Sequence, residues 1–346
     1  MSEQVSVRDL LTVIITTSVT PSSPSTELLE AILESFNRHC PAFLSCKVIV
    51  VFDGYDKIVP TARLKKGQVT TQQAENFTSY KQNVKNLILG RYQRHGEGST
   101  FTNTHAKAEY GSTRGDNEVS YTISQTCDKS ALRATETPYV WVQQHDWALL
   151  SDLPIEPMLQ IMKAHEADAE VPIKYICLAA VRMLSYATSM DVARFPALRN
   201  LTASLTGDFS TASHPDVKVP LTPMYFWHDK PHVASTAHYL NRVFPTRLAM
   251  FRGDFIEDKI GQRARAQMKE GEWNKWATWL YYPEDGKQLC LRHLQGRTRE
   301  SVAGQADRAA MWKQKNEMRD LEKGASAVEV DAIQDLPLYL EDEPDS

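Results

Sequence analysis

The sequence predicts an α/β protein built on a mostly parallel central sheet flanked by helices. Three observations carry this prediction. Leu11–Thr17 (LTVIITT) and residues 46–52 (CKVIVVF) are continuous apolar, β-branched runs of strand length, the pattern of strands covered on both faces. Between them, Leu28, Leu29, Ile32, Leu33 and Phe36 recur at helical spacing behind Ser25 and Thr26, either of which can cap a helix. Strand, helix and strand in one short stretch make a right-handed βαβ unit and therefore a parallel pair. Third, residues 139–142 (YVWV) form another strand-like run that turns abruptly polar at Gln143, Gln144, His145 and Asp146.

The remaining elements follow in order. Residues 80–92 show helical apolar spacing with basic residues outward, and 90–115, rich in Gly, Ser, Thr, Asn and His, reads as a long loop. A helix over 119–133 delivers the chain into the strand at Tyr139. Helix 157–165, strand 173–178 and helix 179–190 come next. Residues 200–229, punctuated by Pro215, Pro220 and Pro223, read as irregular; their aromatic end, 224–227 (MYFW), is either a core strand or an apolar ligand wall. A basic helix over 259–270 precedes Trp273, Trp276 and Trp279, and a strand over 288–291 ends in Arg292 and His293.

Composition sets the frame. The chain has 346 residues, 42% hydrophobic and 24% charged, which suits one sizeable globular domain over 8–300. Residues 301–346 shift to charged and small residues, giving a peripheral helix over 309–321 and an acidic tail expected to be disordered. A formal net charge of −4 argues against a general nucleic-acid scaffold. The five cysteines are scattered without a CxxC pair, so neither a zinc ribbon nor a disulfide framework is indicated. No basic, apolar leader and no membrane-length apolar run occurs, and a cytoplasmic protein is expected.

Acids or histidines stand at successive element edges: Asp53 and Asp56, His145 and Asp146, Glu257 and Asp258, then His293. In open α/β sheets ligands bind at the carboxyl edge of the strands. Taken singly, a Glu–Asp pair is commonly a solvated surface pair and a strand-end histidine is commonly structural. The order and spacing of the four together give them weight.

That order, over roughly residues 10–300, resembles a GT-A (Rossmann-like) glycosyltransferase. The resemblance implies that the first βαβ unit binds the nucleotide, with Thr17 and the turn VVFDGYD (Asp53, Asp56) toward base and ribose. The triplet Gln144-His145-Asp146 is similar to the family's DXD motif; Asp146 matches the metal-binding acid, whereas Gln144 stands where the first acid belongs. His293 looks like the late histidine that some members use as a second metal ligand. FIED, with Glu257 and Asp258, is similar to the xED motif, in which the acid at Asp258 is the base of inverting members.

The resemblance thus implies a hexosyl- or pentosyltransferase that moves sugar from a nucleoside-diphosphate sugar to a hydroxyl acceptor, with inversion. The acceptor class stays open between a glycan, a small molecule and a modified nucleic acid. Transfer of this kind needs a divalent ion, Mn2+ or Mg2+, to neutralise the departing diphosphate, and an imidazole ligand suits Mn2+. Gln144, His145 and Arg292 are the further donor-side candidates, with Lys259 and Arg297 as additional cations near the diphosphate. Trp273 and Trp276 either stack on an acceptor sugar or belong to the core. Three other readings compete. A nucleotidyltransferase is disfavoured because the loop 19–26 has no Gly, Lys or Arg. A metal-dependent hydrolase would use His214, His228, Asp229, His232 and His238, although Pro231 breaks any helix that would align His228 with His232. An inactive nucleotide-binding module would explain Gln144.

Overall fold

The computed structural model describes residues 6–92, 99–104, 107–112, 118–122, 129–246, 255–296 and, save 312 and 316, 310–318. Its strands are β1 (Leu11–Thr17), β2 (Lys47–Phe52), β3 (Lys57–Ile58), β4 (Gln68–Val69), β5 (Ser99–Thr104), β6 (Lys107–Ser112) and β7 (Glu118–Thr122). Then come β8 (Tyr139–Gln144), β9 (Trp147–Leu149), β10 (Tyr175–Leu178), β11 (Gly207–Thr211) and β12 (His214–Pro223). The series closes with β13 (His232–Ser235), β14 (Thr278–Tyr281) and β15 (Leu291–His293). Eleven of them form one sheet in the order β11-β12-β14-β10-β13-β8-β1-β2-β7-β6-β5. The centre, β8-β1-β2-β7, is parallel, and β10 and β14 run the same way; β13, β12 and β6 run against it.

The expected βαβ unit is present: β1 and β2 pair in parallel, joined through the helix Glu27–His39, which buries Leu29, Ile32, Leu33 and Phe36. Val13, Ile14, Ile15, Ile49, Val50, Val140 and Trp141 are all inaccessible to solvent. That accounts for their unbroken apolar runs, since both faces are covered.

Several expectations needed correction. The helix expected from residue 80 starts at Thr71 and ends at Tyr92, its first turns being polar in sequence. The loop over 90–115 contains β5 and β6, and the span 119–133, expected as one helix, begins in β7 and ends in a short helix at Lys129–Arg133, with residues 123–128 outside the described residues. Residues 93–98, 105–106 and 113–117 of that loop lie outside the described residues. In place of a helix over 179–190 there are single 3-10 turns at Val181–Met183 and Tyr186–Thr188. The irregular stretch 200–229 holds the end of helix Pro196–Leu205 and the hairpin β11–β12. Residues 224–227 are core, as one reading had it, yet they are a buried loop and not a strand. The last strand lies at 291–293, beyond the expected 288–291. The acidic tail lies outside the described residues, as do Cys127 and Arg297. The four described cysteines are free and buried. No described helix is long and apolar enough to cross a membrane.

An aromatic cluster fixes the right half of the sheet. Trp227 packs on Tyr175, Tyr239 and Trp276, with ring centroids 4.4, 5.1 and 6.0 Å away, and His232 lies 4.5 Å from Tyr175. Burial pushes the imidazoles of His232 and His238 down to about 3, so both are neutral in the folded protein. Unfolded histidines take up protons below about pH 6.5, so between that value and about 3 the unfolded chain binds more protons and acid destabilises the fold. Each histidine contributes up to about 1.4 kcal/mol per pH unit across that window. Melting temperature is expected to fall on acidification from pH 7 to 4.5, and His232→Phe is expected to make that slope shallower. An unchanged slope in the variant would assign the acid sensitivity elsewhere.

Candidate active site

The carboxyl ends of β1, β2 and β8 terminate at one level because their register pairs Thr17 with Phe52 and Thr16 with Gln144. The last carbonyls of β1 then accept from the first residues of both neighbouring turns: Asp53 N donates to Thr17 O at 2.7 Å and His145 N to Thr16 O at 2.9 Å. The turn after β8 is braced from inside by Gln143, which is fully buried. Its Oε1 accepts from Trp141 Nε1 at 3.1 Å, and its Nε2 donates to Gln144 O at 2.9 Å and to Trp147 O. This glutamine holds the turn shape and leaves Gln144 and Asp146 to face the site.

Asp146 and His293, 147 residues apart, meet with Oδ2 and Nε2 separated by 3.0 Å. The ribbon of β9 and β15 brings them together by pairing Trp147 with His293. Leu294 N donates to Asp146 O at 2.6 Å and locks the return of the chain. The Trp147 and His293 rings lie 4.7 Å apart, which fixes the imidazole. Gly296 closes over this turn so tightly that a Cβ there would stand 3.0 Å from Asp146 Oδ2 and 3.1 Å from His145 Nε2.

A second cluster lies on the same edge, where the chain enters β13. Its members are His228, Asp229 and Lys230, with Glu257 from the turn Glu257–Gly261. Glu257 Oε1 receives His228 Nδ1 at 2.8 Å, Lys230 Nζ at 3.2 Å and Asp229 N at 3.4 Å. Side-chain exposures of 12%, 15% and 18% for His228, Glu257 and Lys230 keep this group largely out of water. Burial alone would raise the Glu257 carboxyl, but the Lys230 ammonium and the His228 hydrogen bond outweigh it and hold it well below the carboxylate range. Asp229, desolvated beside that anion, is pushed well above the range although Gln144 donates to it. The two acids therefore hold one proton between them, as close carboxyl pairs do. Lys230 is raised, because the Glu257 carboxylate above all overcomes its desolvation. His228 is lowered by burial and by Lys230.

The segment is anchored at both ends. Trp227 before it and His232 after it are fully buried, and Tyr175 Oη donates to His228 O at 2.9 Å. Through Gln144 and Asp146 the triplet thus touches both centres, one residue toward Asp229 and the other toward His293.

Other sequence-derived candidates sit differently. Thr17 is inaccessible and its hydroxyl bonds Tyr80 Oη at 2.7 Å, so only its backbone reaches the edge. Asp53 follows β2 directly, whereas Asp56 is exposed and packed against Gly67 of the β3–β4 ribbon. His145 is buried at 8% exposure. Arg292 occupies the exposed face of β15, opposite to His293, because side chains alternate along a strand. It does not share the Asp146 site. Lys259 and Asp258 are exposed, and it is Glu257 that turns into the cluster. Trp273 and Trp276 are core: exposures are 1% and 0%, and their Nε1 atoms donate to Met224 O and Gln267 Oε1. No sugar can stack on either.

The hydrolase arrangement does not form either. His232 Nδ1 donates to Lys230 O at 2.6 Å and His228 Nδ1 to Glu257. Among the described residues no group of three or more His, Cys, Asp or Glu is arranged to hold a metal ion.

Sequence reasoning saw His228 and Asp229 only as metal-ligand candidates and missed their cluster with Lys230 and Glu257. The signal is HDKP, directly before β13; it is easy to miss because these residues enter a strand at the edge where the other acids leave theirs. Lys81 and Lys85 were also passed over. They lie half-buried on helix Thr71–Tyr92, which is tied to the β1 edge by Tyr80 and by Asn83 Nδ2 donating to Pro24 O. Burial lowers both ammoniums, and Lys85 lowers Lys81 further.

Trp276→Ala is expected to cost about 3–5 kcal/mol of stability by emptying a core site, read as a lowered denaturation midpoint. An unchanged midpoint would show that the ring is not core.

By sequence the chain matches no protein-family model and no curated protein. By structure it is similar to a mannosyltransferase from Pyrobaculum calidifontis solved with GDP-Man and Mn2+. That likeness has 11% identity and a TM-score of 0.35, covering 81% of this chain and 59% of that one. It is also similar to TarS of S. aureus, at 10% identity and TM-score 0.30 over 67% of this chain and 29% of that one. For TarS 1–349 the values are 10% and 0.36, over 93% and 75%. The chain thus spans about three fifths of the mannosyltransferase.

Proposed function

We propose that this protein is a metal-dependent glycosyltransferase, moving a hexosyl or pentosyl group from a nucleoside-diphosphate sugar to a hydroxyl acceptor with inversion. The observation that carries the reading is the meeting of Asp146 and His293 at the carboxyl end of β8, on one edge with Asp53 and the Glu257 cluster.

The donor pair fits a divalent ion. Asp146 and His293 now meet each other directly, at 3.0 Å; a divalent ion would be held by this carboxylate and imidazole in place of that contact. Oxygen-loving ions keep several waters or phosphate oxygens, so two protein ligands suffice, and the imidazole favours Mn2+ over Mg2+. Such an ion supplies Lewis-acid neutralisation of the charge gathering on the diphosphate.

The chain's own residues do the rest. Asp53, directly after β2, meets the ribose or base. Lys81 and Lys85 offer positive charge beside the β1 edge. The Glu257 cluster lies beyond β8 on the β13 side, so the acceptor approaches from there and attacks the anomeric carbon opposite the leaving phosphate.

Thermal-shift measurements with nucleoside diphosphates and nucleotide sugars, with and without Mn2+, test this reading. One nucleotide family is expected to stabilise the protein by about 2.7 kcal/mol at about a hundred times its dissociation constant. Asp146→Ala and His293→Ala are each expected to remove the metal-dependent part and to abolish transfer. If no nucleotide shifts the protein and none of the sugars is transferred, the proposal fails. Binding without turnover would favour the inactive nucleotide-binding module.

A further inference from the structure

Within the proposed transferase the residue that takes the acceptor proton is not settled by the acid motif, because the structure turns Glu257 and Asp258 in different directions. Asp258 is exposed. Glu257 is held as an anion, and that disqualifies it as a base: one oxygen already accepts from three donors. Its carboxyl also shares a hydrogen bond with Asp229. Asp229 holds the proton of the pair and has none to accept. Lys230 is a cation.

His228 is left. Its Nδ1 lies 2.8 Å from an ionised carboxylate oxygen and 3.3 Å from Lys230 Nζ, whose ammonium also reaches that oxygen at 3.2 Å; the shorter contact requires a proton, and the carboxylate has none to give. Nδ1 therefore carries the hydrogen, and Nε2 carries the lone pair. Nε2 has no hydrogen-bond partner among the described residues, and the side chain keeps 12% of its surface exposed. The ring packs at a tilt on Phe226, 4.7 Å away, and its backbone carbonyl accepts from Tyr175 Oη.

We propose that His228 and Glu257 form a histidine–carboxylate dyad in which His228 Nε2 is the general base that deprotonates the acceptor hydroxyl, Glu257 being the positioning residue behind it. This rests on the transferase reading. The acceptor O–H proton passes to Nε2 as the acceptor oxygen bonds to the anomeric carbon. The anomeric carbon–phosphate oxygen bond breaks, the nucleoside diphosphate leaves with that electron pair, and the imidazolium later returns its proton to water. Glu257 stabilises the imidazolium as it forms and fixes the tautomer, the arrangement that makes imidazole effective at neutral pH. The other charges facing the ring are Lys230, Asp229 and, from the neighbouring helix turn, Asp191, which is paired with Arg265 Nη2 at 3.4 Å.

The test combines donor binding, transfer and a tautomer readout on the full chain. In wild type, nitrogen-15 NMR of the imidazole is expected to show the Nδ1–H tautomer, and Glu257→Gln is expected to disturb it. His228→Gln is expected to keep the Mn2+-dependent thermal shift with nucleoside diphosphate and to lower kcat for transfer by about 10²- to 10⁴-fold, the usual reach of general-base help. It should also abolish the acidic limb of the pH–rate profile. If His228→Gln transfers sugar with an unaltered profile while Asp258→Asn does not, the dyad is refuted and the transferase reading stands. If wild type neither binds a nucleotide nor transfers sugar, the reading falls and the dyad falls with it. A His228→Gln variant with a lowered melting point and lost donor binding would also overturn the proposal, because it would make the residue structural.

Discussion

The last two carbonyls of β1 hold the whole functional edge in place. Thr16 O and Thr17 O accept from the first residues of the turns that follow β8 and β2, so one central strand sets the position of both acidic turns at once. This is possible only in the register observed. Side chains alternate faces along a strand, and a slip of one residue would reverse every inward residue of the β1 ladder and separate the two turns.

Beyond that edge, rigidity is supplied from opposite sides. Gln143 braces the turn after β8 through hydrogen bonds that a buried apolar residue could not replace. The aromatic packing around Trp227 holds the approach to β13. Between them sit four ionisable side chains largely out of water. Such a group is tolerated only if its charges compensate one another, and removing one partner leaves another stranded at a cost of several kcal/mol. Here Lys230 opposes Glu257 while Asp229 stays neutral, so the group as a whole carries little net charge.

The parallel centre was legible because strands covered on both faces must be continuously apolar, and 11–17, 47–52 and 139–142 are. The turn acids were legible because polarity appears abruptly where those runs stop. The sheet's other flank was hidden: β5 and β6, STFTNT and KAEYGS, have the composition of a loop, and pairing with neighbours is what makes them strands. The tryptophans misled in the opposite way. Trp273 and Trp276 have the residue type of a sugar platform, but the type says nothing about exposure, and backbone or glutamine oxygens satisfy their indole nitrogens inside the core. Glu257 and Asp258 are adjacent in sequence, and only the local turn decides which of them faces inward.

The β9–β15 ribbon has a consequence for the order in which the protein becomes competent. Every strand of the parallel centre is complete by Gln144, and Asp146 follows at once, yet its partner arrives only with His293, near the far end of the described fold. Closing so long a loop is slow relative to local pairing. During synthesis the sheet centre can be assembled long before the imidazole reaches the carboxylate. The chain therefore has a built-in delay between assembling its sheet centre and joining Asp146 to His293, and the short ribbon with Gly296 over it is the last of these pieces to arrive.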